Sequence, residues 1–292
     1  MPRARVRDLS IEYAITGDAG ARPLVLVMGT AAPLTMWDDE FCDALAGRGF
    51  RVVRFDYRDT GRSTHTPGVV ASSIPEMMTA FAGGQLRPAY TLEDLADDTL
   101  GLLDALGIGR AHLVGLSQGG GVAQLAALRA PERVNALTLI AASTASPEVP
   151  PPSQETMAVL LSPLPTDEAS FIDWNVLMYT HTGSKQPPPD VTWIRRRAER
   201  TWRHGWSTQG FLRHLLAVVS ATNRKPLLAS LNLPVSIVHG ESDPVYPVGA
   251  ARELAAAIPS AHLNVIPGMG HDLPPTFWDT VLDAVVWAAR EA

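Results

Sequence analysis

Only one cysteine, Cys42, occurs in the chain. A lone thiol excludes an internal disulfide and any multi-cysteine metal site. Its neighbours give it the role of a small buried hydrophobe in a helix. An excess of basic charge is also missing. The formal charge is −6 and the pI about 5.7, so no electrostatic ground exists for nucleic acid or an acidic membrane surface as a partner. No stretch reaches the roughly 18–20 apolar residues that a membrane span needs. The basic opening "MPRARVRDLSIEYAITGD" leads into no apolar segment of signal-peptide type. The expectation is a soluble cytoplasmic protein. A glycine-rich loop of P-loop type and an H-E-x-x-H motif are both absent, and the eight histidines are scattered. The expectation is therefore a chemistry with no cofactor and no metal.

What the chain does have is apolar residue: 46% of 292, enough for one large domain, or one core with an insertion. Short apolar runs recur, each followed by a turn signal: "PLVLVMG" (23–29), "RVVRFD" (51–56), "AHLVGL" (111–116), "ALTLIA" (136–141), "PVSIVHG" (234–240) and "HLNVIPG" (262–268). Near-continuous apolarity is the mark of strands covered on both faces of a parallel sheet. The alternating "IEYAITGD" (11–18) suits an antiparallel edge strand. Between the runs lie helical patterns over 36–49, 91–109 and 277–292, the second opened by a capping box of Thr91 and Asp94. Strand–helix alternation predicts an α/β fold with a mainly parallel sheet. Residues 143–230 break it. Proline clusters bound and divide them, and they hold four of the seven tryptophans, Trp174, Trp193, Trp202 and Trp206. They read as a helical cap inserted between sheet strands, leaving 1–142 and 231–292 as the core.

The run 111–116 ends in "LVGLSQGG", which sets Ser117 at the centre of G-x-S-x-G, between a buried strand and a helix start. Small residues at −2 and +2 let a strand turn sharply into a helix, and the turn lifts the central hydroxyl above the sheet. Ser117 is thus the candidate nucleophile. A serine needs a base. His271, in "IPGMGHDLP" past the last strand, is the best placed. His112, His239 and His262 fall in or beside strands, where a structural role is expected. His65 follows a turn. His181, His204 and His214 fall in the cap, where a solvated or helix-surface role is expected. For the orienting acid, Asp243 in "VHGESDPVYP" ranks first and Glu241 second. Asp272 would point away if His271 faces the serine. The oxyanion donors are expected to be the backbone N–H groups of Gln118 and Thr30.

With these residues in place, the chain resembles the α/β-hydrolase fold over nearly its whole length, through "VMGT", "FDYRDTGRS", "VGLSQGG", "HGESDP" and "PGMGH". Within that superfamily it is most similar to the aclacinomycin methylesterase type of polyketide-tailoring hydrolases, on "LVMG", "RDTGRST" and "IPGMGHDLP". The resemblance implies a serine esterase acting on a methyl ester of an aromatic polyketide, a small-molecule substrate. One departure is Met28, where many relatives carry a histidine that steadies the oxyanion loop. Arg58 and Asp59 are expected to hold their turn. The pocket is expected to be lined by Met36 and Trp37 from below and by Trp174 and Trp206 from the cap. The basic run "RRRAER" (195–200) is expected to be a solvated helix face. The same scaffold also serves carbon–carbon, lactone and amide hydrolysis, perhydrolysis, acyl transfer and non-catalytic binding.

Overall fold

A computed structural model describes residues 1–292. Its centre is one eight-stranded sheet. The strands are β1 (Arg3–Val6), β2 (Leu9–Thr16), β3 (Arg22–Val27), β4 (Phe50–Phe55), β5 (Ala111–Leu116), β6 (Val134–Ile140), β7 (Val235–Gly240) and β8 (Ala261–Ile266). They lie in the order β1-β2-β4-β3-β5-β6-β7-β8. β1 and β2 run antiparallel, as do β2 and β4, and every later pair is parallel.

The apolar runs form strands because successive side chains feed two different cores. Val25 and Val27 point to one face of the sheet, with Val53, Leu113 and Leu137. Leu24 and Leu26 point to the other, with Val52, Val114 and Val238. On the first face the helices Leu92–Ala105, Gln118–Arg129 and Val248–Ala257 contribute Leu95, Val122 and Leu254. On the second, Asp39–Ala46 and Trp278–Arg290 contribute Phe41 and Leu282. Cys42 packs among them, and burial pushes its thiol up to about 12. A sheet covered on both faces must be apolar on both, which is why these strands do not alternate.

The structure moves one element boundary and adds two elements. The pattern over 36–49 is a 3-10 turn at Leu34–Met36 followed by a helix that starts only at Asp39. Asp38, at the N-cap, gives its carboxylate to Arg200 and Trp193 and makes no side-chain bond to the helix's first turn. The edge strand β1 precedes the one expected. A helix at Ile74–Ala82, capped by Ser73, occupies a region where none was expected.

Between β6 and β7 the chain forms the helices Gln154–Leu160, Glu168–Thr182, Val191–Gly205, Thr208–Val219 and Lys225–Leu228. Thr208–Val219 packs on Ile74–Ala82 through Leu212, Leu216, Ile74 and Met77. No helix is long and apolar enough to cross a membrane.

Candidate active site

The C-terminal ends of β5, β7 and β8 all open on one side of the sheet, where parallel α/β sheets bind their ligands. At the end of β5, Ser117 adopts φ 54° and ψ −119°, a left-handed conformation for a residue with a side chain. Two things hold it there. Its N–H donates to the Ile140 carbonyl of β6 at 2.8 Å. The glycines around it also admit no side chain. A Cβ on Gly119 would come within 1.9 Å of the Val27 carbonyl oxygen, and one on Gly115 within 2.3 Å of the Gly119 carbonyl oxygen. Helix Gln118–Arg129 then starts directly under the serine, with its N-terminal dipole beneath the hydroxyl.

His271 arrives from the loop after β8. Its backbone N–H donates to the Thr182 carbonyl at 2.7 Å, which ties this loop to the end of helix Glu168–Thr182. Its Nε2 lies 2.9 Å from Ser117 Oγ and its Nδ1 2.7 Å from Asp243 Oδ2. Asp243 is fixed in turn, because its Oδ1 accepts the N–H groups of Val245 at 2.8 Å and Tyr246 at 2.9 Å. Burial by itself would lower the His271 pKa. The Asp243 charge and the hydrogen bond to it outweigh burial, so the imidazole is held above the ordinary histidine range. The three side chains form one line from a hydroxyl through an imidazole to a carboxylate, an arrangement able to pass a proton from serine to histidine as the serine attacks.

The other candidate acids are engaged elsewhere. Asp272 turns from His271 to Ser184, whose hydroxyl and N–H reach its two oxygens at 2.6 and 3.0 Å. Burial raises the Asp272 pKa against the opposing effect of those bonds. Glu241 is exposed. His239 lies 3.6 Å from Asp243 but bonds to the Tyr246 carbonyl at 2.7 Å, and burial lowers its pKa.

Thr30 and Gln118 flank the serine on its other sides. A Cβ built on Gly29, the residue before Thr30, would lie 3.5 Å from Ser117 Cβ. Met28 holds this loop through its backbone: Tyr57 Oη donates to the Met28 carbonyl at 3.2 Å. One turn further, Asp56 accepts the Leu34 N–H at 2.7 Å. The loop is therefore held from the turn after β4 by a tyrosine and an aspartate, a support not anticipated from the sequence.

Ser117 and His271 open into a mostly apolar cavity of about 590 Å³, within the range of small-molecule sites. Met36, Trp37, Trp174 and Trp206 all line it, while Trp193 and Trp202 do not. Phe171, Trp174, Trp206 and Phe211 form a continuous aromatic wall, with centroid separations from 4.8 to 6.3 Å.

Three expectations are corrected. His204 and His214 are buried rather than solvated. His204 Nε2 lies 2.7 Å from Asp56 Oδ2. His214 accepts from Gln118 Nε2 at 2.9 Å and donates to the Arg58 carbonyl at 2.9 Å, and burial lowers its pKa to about 4. The run 195–200 is not uniformly a solvated face, because Arg197 points inward and lines the cavity. Arg58 pairs with Asp98 through Nε and Nη2, at 2.6 and 2.7 Å, and Asp59 accepts the Thr66 N–H at 2.6 Å. Both hold their turn together.

This sheet order and the serine elbow at the end of β5 define an α/β-hydrolase. Residues 22–276 match the alpha/beta hydrolase fold family, and the chain belongs to it. Among characterised relatives it is 32% identical to a rhodomycin D methylesterase from a Streptomyces species and 31% identical to another from Streptomyces peucetius. Each match covers 94% of this chain and 93% of the relative. A 2-hydroxy-6-oxononadienedioate/2-hydroxy-6-oxononatrienedioate hydrolase from Burkholderia vietnamiensis is 30% identical, over 90% of this chain and 85% of its own. In structure, the chain is similar to an enol-lactonase from Burkholderia xenovorans at a TM-score of 0.73, covering 99% of this chain and 100% of that one. At 23% identity this likeness speaks to the fold alone.

Proposed function

We propose that the protein is a serine hydrolase that cleaves a carboxylic ester, the methyl ester of a bulky polyketide-like acid, with residues 143–230 acting as a cap over the site. In this reading Ser117 Oγ attacks the ester carbonyl carbon while His271 Nε2 takes the hydroxyl proton. Asp243 stabilises the imidazolium that forms. The backbone N–H groups of Thr30 and Gln118 hold the oxyanion of the tetrahedral intermediate. Collapse breaks the ester C–O bond, and His271 returns its proton to the leaving alkoxide, which departs as methanol. A water molecule, deprotonated by His271, then attacks the acyl-enzyme, and a second collapse releases the carboxylic acid and regenerates Ser117.

The observation that carries this reading is the hydrogen-bonded line Ser117–His271–Asp243 at the mouth of the apolar cavity. The similarity to two methylesterases over 94% of the chain favours the methyl ester. The similarity to a 2-hydroxy-6-oxononadienedioate hydrolase favours carbon–carbon bond hydrolysis as the second reading. The test is a hydrolysis screen pairing methyl esters of polycyclic aromatic acids with short aryl esters and a vinylogous diketone. The wild-type protein should turn over the polycyclic methyl esters. Ser117→Ala should lose activity by a factor on the order of 10⁴ or more with an unchanged circular dichroism spectrum. Turnover surviving in that variant would remove Ser117 from the role of nucleophile, and cleavage of the diketone alone would favour the second reading.

A further inference from the structure

Arg197 is the only arginine or lysine that lines the catalytic cavity. It is 6% exposed, and its Nη2 is buried with no hydrogen-bond partner. Its guanidinium lies over two aromatic rings, 3.9 Å from the Trp193 centroid and 4.6 Å from that of Tyr179. Stacking fixes the plane of the charge and leaves its N–H donors to find acceptors in that plane. The protein supplies none. Two acids line the same cavity, and both are held elsewhere. Asp38 accepts from Trp193 Nε1 at 3.1 Å and from Arg200 at 2.9 Å. Asp272, 2% exposed, accepts from both donors of Ser184. A buried guanidinium with unmade hydrogen bonds is costly, and such a group at a binding site is one that a ligand completes.

Arg197 offers only donors. Asp272, as a carboxylate, offers only acceptors, and each of its oxygens keeps a lone pair beyond the one Ser184 uses. Both line one cavity, and they do not close on each other. A ketone would satisfy Arg197 and leave Asp272 facing an acceptor. An ammonium would satisfy Asp272 and face Arg197 as a like charge. A hydroxyl can do both, accepting from the guanidinium and donating to the carboxylate. Asp272 follows His271 in the chain and its carboxylate turns towards Ser184, while Arg197, His271 and Asp272 all line the one cavity, so this polar pole and the candidate catalytic groups share the same space.

We propose that Arg197 and Asp272 form a polar subsite for a hydroxyl group carried on the acid portion of the substrate, one or two carbons from the ester carbonyl. The proposal rests on the ester-hydrolase reading and narrows its substrate to hydroxy esters.

The experiment uses two matched pairs: methyl mandelate with methyl phenylacetate, and methyl 3-hydroxy-3-phenylpropanoate with methyl 3-phenylpropanoate. Each kcat/KM ratio is divided by the ratio of alkaline hydrolysis rates, which removes intrinsic reactivity. In the wild-type protein at least one hydroxy ester should exceed its partner by about tenfold to a hundredfold, the range expected for hydrogen bonds to charged groups. Arg197→Met should bring that ratio close to one, whatever its absolute rate, and Asp272→Asn, which keeps an acceptor oxygen but loses the charge, should lower it. Arg197→Lys, which keeps charge but not the planar fork, should give an intermediate ratio. A wild-type ratio near one for both pairs, or a preference that survives in folded Arg197→Met and Arg197→Lys proteins, would overturn the subsite and leave the esterase reading standing. Ser117→Ala separates the two ideas from the other side. Tryptophan fluorescence titration should give tighter binding of the preferred hydroxy ester than of its partner. If that holds while the wild-type protein hydrolyses none of the four and none of the polycyclic methyl esters or short aryl esters of the screen above, the ester chemistry fails and the subsite stands.

Discussion

His271 is subject to two opposed influences, burial that favours the neutral ring and Asp243 that favours the charged one, and the carboxylate prevails. The sign of the consequence follows from its proposed role. Only the neutral ring can accept the Ser117 proton, and a raised pKa keeps the ring protonated to higher pH. The acid limb of kcat/KM should therefore have its midpoint above about 6.5, the ordinary histidine value. Asp243→Asn removes the charge but not the burial. The midpoint should then move down and the rate should fall by a factor on the order of 10⁴. A pH–rate profile of both proteins checks this, and a midpoint that Asp243→Asn leaves in place would detach Asp243 from the histidine. Ser117, Asp243 and His271 could be singled out because each follows a short strand-like run and stands among glycines or prolines, a local signal, even though β8 before His271 is a half-exposed edge strand. Arg197, His204 and His214 could not be read in the same way. Their inward orientation depends on Trp193, Tyr179, Asp56 and the Arg58 carbonyl, partners that only the folded chain brings near.

The element that matters most is the turn from β5 into helix Gln118–Arg129. It holds a serine at φ 54° because the helix start lies almost against the backbone of β3. Gly119→Ala would drive a methyl group into the Val27 carbonyl, which belongs to a buried central strand and cannot yield. The helix must then back away, carrying Ser117 and the Gln118 N–H with it. We expect a stability loss of about 2–4 kcal/mol, from overpacking added to backbone displacement, and a disproportionate loss of activity in the fraction that stays folded. Thermal unfolding read beside active-site titration with a fluorophosphonate distinguishes the two effects. A normally stable, fully labelled variant would mean the elbow is looser than its contacts imply. The parallel strands were legible because a doubly covered sheet writes continuous apolar runs. The edge strand β1 was not, since four residues with only Ala4 and Val6 buried carry too short a pattern. The helix Ile74–Ala82 did announce itself, through Ser73 and Glu76 at N-cap and N3 spacing. The glycines and prolines on either side obscured it.

On the scale of the whole molecule, the strand ends of the sheet carry the candidate catalytic groups and the segment between β6 and β7 supplies most of the aromatic wall facing them. The sheet half could be anticipated from its strand rhythm. The other half rests on side chains meeting across helices, so composition indicated aromatic content without saying which rings would meet. Trp206 is the test of what that wall does. Its ring lies 4.8 Å from Phe171, 5.8 Å from Trp174 and 5.4 Å from Phe211, and it borders the cavity. Trp206→Ala removes the centre of this group without touching Ser117, His271 or the oxyanion donors. Under the proposed function a polycyclic methyl ester would use such remote contacts to bring its carbonyl onto the serine, whereas a small acetate ester would not reach them. The ratio of kcat/KM for the polycyclic ester over that for p-nitrophenyl acetate should fall by about tenfold to a hundredfold. Trp206→Phe, which restores a ring, should recover most of that ratio. Truncating a half-buried tryptophan also costs stability, up to about 3 kcal/mol, so both rates are taken per labelled active site. If both esters lose activity in equal measure, the aromatic wall serves folding alone, and the bulky acid falls out of the proposed substrate.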